Sequence, residues 1–425
     1  MDPSIYLQRY AHPVEFLNRE VVSGNLGMII TIPCYNEPGL VRTLRSIHSC
    51  LRPDCDVEVI VLINQPENVD PAVQQQNEIS FQEAHQWVRW NQSPSLKYYI
   101  LWIKNLPAKW SGVGLARKLA MDEAVRRFRK SGNPQGIIIG FDADSTCREN
   151  YLVTVKNEFE NFRLNGASIH FEHPMEGDPR LHAGIIQYEL HLRYYIMAQK
   201  YAGFPYAFHT IGSSMAVRND VYEKQGGMNK RKAGEDFYFL HKVIPLGEYK
   251  EISGTTVFPS SRESDRVPFG TGKAMLEWMK NQDQILTTYH PVIFQSLKQL
   301  FDMVEDLYAN NKVTGNLRHL PESLWNFLER DNFENKVEEF RAQSSMASNF
   351  RDKFFRWFNG LKLLQYVHYA QAELYPPIPL TEAVQWLESR FPLGLKDRSD
   401  LLQVLLDIRE FNRNNPGFYH KPSFR

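Results

Sequence analysis

The residues of this chain best suited to chemistry are two acidic pairs, Asp142-Ala143-Asp144 and Glu235-Asp236. The first follows directly on an apolar run, Gly136–Phe141. In extended backbone, residues two apart point the same way, so both carboxylates are able to converge on one hard cation. Mg²⁺ and Mn²⁺ take oxygen ligands and typically share them between one or two carboxylates and substrate phosphates. The same residues equally suit a turn or a helix cap, with Ser145 and Thr146 completing it. The second pair opens a segment, Asp236–Val243, that reads as a helix. There an acidic pair serves either as a general base or simply as favourable charge at a helix N-terminus. Neither pair decides the matter alone.

The elements that must position these pairs are legible in the periodicity. Short β-branched runs predict strands over 27–33, 57–63, 96–103 and 136–141, and helical spacing predicts helices over 39–51, 81–90 and 114–130. Such alternation favours a mostly parallel, doubly wound sheet with helices on both faces, and continuous apolar strands fit its interior. In an open α/β sheet, ligands bind beyond the carboxyl ends of the strands. Asp142, Asp144 and the turn at Pro33–Pro38 fall at that edge. From about Gly272 the β signal nearly vanishes. Helices are expected over 274–286, 293–309, 322–328, 335–341, 352–373, 380–391 and 399–412, punctuated by Pro321, Pro376-Pro377-Ile378-Pro379 and Pro392. The expected organisation is an α/β domain over 1–270 and a helical C-terminal domain over 271–425.

Further motifs lie in a fixed order around the acidic pairs. They are Pro33-Cys34-Tyr35-Asn36-Glu37, then Gly112-Val-Gly-Leu-Ala-Arg117-Lys118, then Asp142-Ala143-Asp144. Gly212-Ser-Ser-Met-Ala-Val-Arg218 with Gly226-Gly227 comes next, and Gly234-Glu235-Asp236-Phe237 closes the series. Over roughly residues 27–270 this series resembles the family 2 glycosyltransferases of the GT-A fold. The resemblance implies inverting transfer of a sugar from a UDP- or GDP-linked donor to an acceptor hydroxyl, with Mn²⁺ or Mg²⁺ on the donor diphosphate. It puts Asp142 and Asp144 at the metal, Asp144 as the direct ligand and Asp142 nearer the nucleotide. Pro33, Tyr35 and Glu37 would line the nucleotide pocket, Glu37 accepting hydrogen bonds from the ribose. Asn64 stands where the family usually carries an aspartate that reads the base, and an amide both donates and accepts. Arg117, near a helix start, would pair with phosphate, helped by the positive end of the helix. Asp236 would be the general base, and Glu235 would contact acceptor or donor sugar. Many membrane-bound relatives carry Q-x-x-R-W further on; this chain has instead Ser260–Gly272, where Arg262 or Arg266 could clamp diphosphate bidentately. That departure argues against processive polymer synthesis.

Composition sets the outer limits. Of 425 residues, 43% are hydrophobic and 23% charged, which excludes global disorder. With 49 basic and 49 acidic residues there is no general pull toward nucleic acid. Cys34, Cys50, Cys55 and Cys147 match no zinc ribbon and are expected as reduced thiols. No signal-peptide pattern opens the sequence and no apolar run approaches the ~20 residues that span a bilayer. A soluble, cytoplasmic protein is expected, with peripheral contact at the inner face of a membrane compatible with a lipid-linked acceptor. Its expected partners are a sugar nucleotide and an acceptor glycan, lipid or small molecule, with no nucleic acid. His170, His173, His182, His191 and His209 lack zincin spacing and read as structural or acceptor-pocket residues. Two alternatives stand beside the transferase reading. A nucleotidyltransferase would want a Gly-rich basic loop after the first strand, where this chain has the acidic, glycine-free Pro33–Glu37. An inactive sugar-nucleotide-binding scaffold would have no need of Asp142, Asp144, Glu235 and Asp236 together.

Overall fold

The computed structural model describes residues 5–281, 285–309, 317 and 319–417, and divides into two compact units. The first comprises the chain up to Leu181 together with Thr210–Met279; the second comprises His182–His209 and the chain from Lys280 onward.

The first unit is built on an eight-stranded sheet. Its strands are β1 (Leu26–Cys34), β2 (Asp56–Pro66), β3 (Leu96–Leu106), β4 (Ile137–Gly140), β5 (Thr146–Cys147), β6 (Gly166–Phe171), β7 (Met215–Arg218) and β8 (Tyr249–Phe258). They lie in the order β3-β2-β1-β4-β7-β6-β8-β5. Four of the seven pairings are parallel (β1 with β2 and β4, β2 with β3, β6 with β8), and those of β7 with its two neighbours and of β5 with β8 are antiparallel. The apolar runs form the middle of the sheet because both its faces are covered: Ile29, Ile30, Ile32, Val59, Ile60 and Val61 have no exposed surface. Flanking helices of this unit include α1 (Ile5–Arg9), α2 (Leu40–His48), α3 (Pro71–Asn91), α4 (Val113–Ser131) and α5 (Tyr151–Phe162). After α6 (Pro179–Ala202), which runs on into the second unit, come α7 (Asn219–Lys224), α8 (Glu235–Val243) and α9 (Thr271–Lys280). α3 begins ten residues earlier than the periodicity suggests. Asp70 accepts a hydrogen bond from the Ala72 amide at 2.8 Å and Pro71 holds the first helical position, a start signal the polar run Gln74-Gln75-Gln76 obscures.

α4 is buried continuously from Gly114 to Phe128, charged residues included. It reads as amphipathic, yet its outer face is roofed by the N-terminal segment. Tyr6 donates to Asp122 at 2.6 Å, the His12 amide donates to the same carboxylate at 2.8 Å, and the Phe16 amide donates to Glu123 at 3.0 Å. Arg127 pairs with Glu58 of β2, its Nη2 lying 2.6 Å from Oε1. Buried charges persist when paired and hydrogen-bonded in this way. The helix ends in a Schellman turn: Gly132 is left-handed (φ 74°), its amide donates to Arg129, and Asn133 reaches back to Phe128.

The second unit is helical apart from a short antiparallel ladder, Thr287–Thr288 with Ile378–Pro379. Two of the predicted long helices are each broken. Residues 293–309 form Pro291–Asp302 and Val304–Ala309, and residues 352–373 fall within Ala347–Trp357 and Gly360–Glu373. The second break is made by Asn359, whose side chain accepts from the Leu361 and Lys362 amides at 3.0 and 3.1 Å and so caps a new helix. The helix predicted over 274–286 is α9, ending at Lys280; positions 282–284 lie outside the described residues. Phe301, Phe354, Phe355 and Phe358 form an aromatic core, and Glu189 is buried between Arg193 and Arg409, each at 2.6 Å. Among the described residues, no helix is long and apolar enough to cross a membrane.

Candidate functional site

The site forms where β1 and β4 end. Their register stops at Thr31–Gly140, and the Phe141 amide still donates to the Thr31 carbonyl at 3.1 Å. Pro33, two residues on, faces the same side beyond the end of β4, so its missing N–H breaks no ladder bond; that is why a proline is tolerated in a central strand. The chain then turns through Asn36, left-handed at φ 50°, whose amide donates to Asn77 of α3 at 2.9 Å. Glu37 follows, fully buried, with Oε1 accepting from the Gly39 amide at 2.6 Å just ahead of α2.

On the neighbouring strand, Asp142 and Asp144 leave β4 on the open side while Ala143 between them is buried. α2 fixes this turn from behind. Thr43 donates to the Ala143 carbonyl at 2.8 Å, and the Cys147 amide donates to the Ser46 hydroxyl at 2.8 Å. α8 brings the second acidic pair. Gly234, left-handed at φ 71°, starts the helix and places Glu235 and Asp236 in its first turn. The Asp236 carboxylate accepts two backbone hydrogen bonds at 2.8 Å each, from Phe237 to Oδ1 and from Gly212 to Oδ2.

Three arginines join these segments. Arg117, at the start of α4 and 2% exposed at its side chain, gives one arm to Glu235 and the other to Asp142 Oδ1 at 2.6 Å. Arg266 spans Glu37 Oε2 (2.9 Å), the Tyr35 carbonyl (3.1 Å) and Asp144 Oδ2 (2.9 Å). Arg262 also donates to Glu37, and reaches Asp144 at 3.4 Å. The loop carrying Arg266 is closed at its base by the Ser264 amide donating to the Gly272 carbonyl at 3.0 Å, and Arg262 lies just ahead of it. Burial pushes the Glu235 carboxyl up to about 7 against the pull of Arg117, with Asp236 and Asp142 adding repulsion. Asp142 is raised too, by partial withdrawal from water (its side chain keeps 39% exposure), opposed by Arg117 and reinforced by Asp144 and Asp236.

Asp142, Asp144, Glu235, Asp236, Glu37, Arg117 and Arg266 are thus brought together, with Tyr35 present through its carbonyl and Pro33 buried in β1. Asn64 stands apart: it is buried and gives its amide to the Ser111 carbonyl at 3.1 Å, bracing the turn ahead of α4. Gly212 enters the site through its backbone, a use that no residue type announces. The histidines do not assemble. His170 pairs with Glu172 at 3.1 Å, His173 with Thr271 at 3.1 Å, and His191 with Thr288 at 2.8 Å.

The donor set admits a cation only in part. The arginines hold Asp142 by Oδ1 and Asp144 by Oδ2. Among the described residues, no group of three or more His, Cys, Asp or Glu is arranged to hold a metal. Two carboxylates completed by substrate phosphates are a set that Mg²⁺ and Mn²⁺ accept. The residues therefore fit a cation shared with a bound diphosphate, not a metal centre made by the protein alone.

No protein-family model and no curated protein matches this chain. Among solved structures it is similar to residues 1–349 of S. aureus TarS, at 13% identity and a TM-score of 0.39, covering 93% of each chain. The same fragment in complex with UDP-GlcNAc gives 12% identity and 0.40 over 93% of each chain. Full-length S. aureus TarS gives 12% and 0.39 over 81% of this chain and 55% of that one. At these values the likeness carries no conclusion about this chain.

Proposed function

We propose that the protein transfers a sugar from a UDP- or GDP-linked donor to an acceptor hydroxyl with inversion, as a family 2 glycosyltransferase. The observation that carries this reading is the convergence of Asp142, Asp144, Glu235, Asp236 and Glu37, from separate segments, at the carboxyl edge of the sheet around three arginines. Asp236 takes the proton of the acceptor hydroxyl. The acceptor oxygen forms its bond to the anomeric carbon from one face as the bond to the diphosphate oxygen breaks on the other, and the nucleoside diphosphate leaves. Asp236 suits the base role because its carboxylate is oriented by two backbone amides and is less enclosed than Glu235. Arg262 and Arg266 leave Asp144 and Glu37 for the diphosphate as it enters, matching its developing charge. Asp144 with Asp142 would hold Mn²⁺ or Mg²⁺ against that diphosphate, where the cation supplies Lewis-acid stabilisation of the leaving group. Glu37, once released, is free to accept from the ribose.

The reaction belongs to the α/β domain, residues 1–270, with 271–425 as a helical domain. A cytoplasmic setting accords with four free cysteines. The acceptor class extends to glycans, lipids and small molecules, and lipid would require peripheral membrane contact. A thermal-shift panel of UDP- and GDP-sugars, with and without Mn²⁺ or Mg²⁺, tests the reading. A true donor at 100 times its Kd adds about 2.7 kcal/mol of stability, a shift of several degrees. If no sugar nucleotide stabilises the protein and none is hydrolysed, the reading is lost.

A further inference from the structure

Arg117 is enclosed on every side that a phosphate would need. Its side chain is 2% exposed, and its two terminal nitrogens are spent on Glu235 and on Asp142 Oδ1 at 2.6 Å. The backbone of Gly212 lies directly against the guanidinium, so that a Cβ at this position would collide with it. The same glycine donates its amide to Asp236 Oδ2 at 2.8 Å. One continuous set of contacts therefore runs from Asp142 through Arg117 to Glu235, and from Arg117 across Gly212 to Asp236. It joins the carboxylates assigned above to the donor to the one assigned as base. A planar fork is what such a joint demands, since a lysine ammonium is a compact point charge that does not span two carboxylates in fixed orientation.

We infer that Arg117 and Gly212 are positioning residues that set Asp236 in register with Asp142, and that Arg117 does not bind the donor phosphate. This rests on the transferase reading above. Displacement of a reacting group by about 1 Å can cost 10²-fold in rate, so the joint matters to turnover far more than to binding.

The test uses the full chain and the variants Arg117→Lys, Arg117→Gln and Gly212→Ala. Kd values are measured in EDTA, so that no cation on Asp142 enters the comparison, for UDP and UMP (GDP and GMP if the guanine nucleotide is bound), alongside kcat and donor KM with the cation present and the unfolding temperature. Each variant should lose about 100-fold in kcat while the ratio of diphosphate to monophosphate affinity stays within about twofold of the wild type. Collapse of that ratio in the Arg117 variants would make Arg117 a phosphate ligand and overturn the inference. So would wild-type turnover in Gly212→Ala or Arg117→Lys. If Arg117→Gln does not fold, Arg117→Lys, which keeps the charge, and Gly212→Ala carry the test. Wild-type protein that binds neither UDP nor GDP would instead defeat the transferase reading itself, and this outcome is distinct because it appears before any substitution is made.

Discussion

Two sets of arginine–carboxylate contacts meet at this site and differ in burial. In the inner set, Arg117 is 2% and Glu235 3% exposed at their side chains, while Asp142, on the other arm of Arg117, is 39% exposed. In the outer set the arginines are more open, Arg262 at 37% and Arg266 at 22%, with Asp144 at 22%, although the Glu37 carboxylate that both hold is fully buried. Removing Arg117 strands Glu235 away from water, at roughly 3–5 kcal/mol, whereas losing one outer arginine leaves Glu37 paired with the other and should cost less. Similar ionic chemistry thus yields a fixed joint in one place and a releasable latch in the other. The joint sits beside the proposed base, where geometry must not vary. The latch occupies the proposed diphosphate site, where charge must be handed from protein to ligand.

Substitutions should divide along the same line. Asp236→Asn, beside the joint, should lower kcat by about 10²–10⁴-fold with UDP or GDP affinity intact by calorimetry; equal loss of both would remove Asp236 from the base role. Arg117→Met should cost about 3–5 kcal/mol in urea unfolding, against under about 1 kcal/mol for Arg262→Ala. Comparable losses would mean that the two sets do not differ as their burial indicates. Arg266→Ala should weaken diphosphate binding by about 1.5–3 kcal/mol. Asp144→Ala should weaken it only while Mn²⁺ or Mg²⁺ is present, so chelation by EDTA should erase the difference from wild type.

The pH response sharpens the comparison. Burial pushes the Glu235 carboxyl from its ordinary 4.5 up to about 7. As pH falls through 7 it takes up a proton, its contact with Arg117 weakens, and kcat should fall. Between pH 7 and 4.5 the folded state binds the proton that the unfolded state does not, so this group's contribution to stability rises as kcat drops. Glu235→Gln should remove that limb from both profiles. The smallest effect is ionic. Raising salt from 0.05 to 0.5 M should increase hydrogen exchange in residues 260–272 and leave the start of α4 unchanged, because screening acts on exposed charges.

Much of this division has no sequence signature. The apolar runs announce β1 to β4, and the residue types announce the acidic pairs, since a carboxylate keeps its chemistry in any fold. The strands β6 to β8, too short or too mixed to stand out, do not declare their pairing, and the antiparallel β7 within the sheet is set by contacts distant in sequence. Arg117 looks the same in sequence whether it faces a phosphate or two carboxylates. Its burial comes with Glu235, Asp142 and Gly212 closing against it.

The sequence by itself determined an alternating α/β region followed by a helical one, and a supply of carboxylates and arginines at the ends of particular strands and helices. Periodicity and residue chemistry are local properties, and they survive without knowledge of neighbours. Only the tertiary structure decided which arginine holds which carboxylate, how deeply each pair lies, and that Asn64 braces a turn. Those facts depend on residues distant in sequence, Arg117 with Glu235 and Glu37 with Arg266 among them, meeting so that both partners of the first pair are buried while the arginine of the second stays partly open.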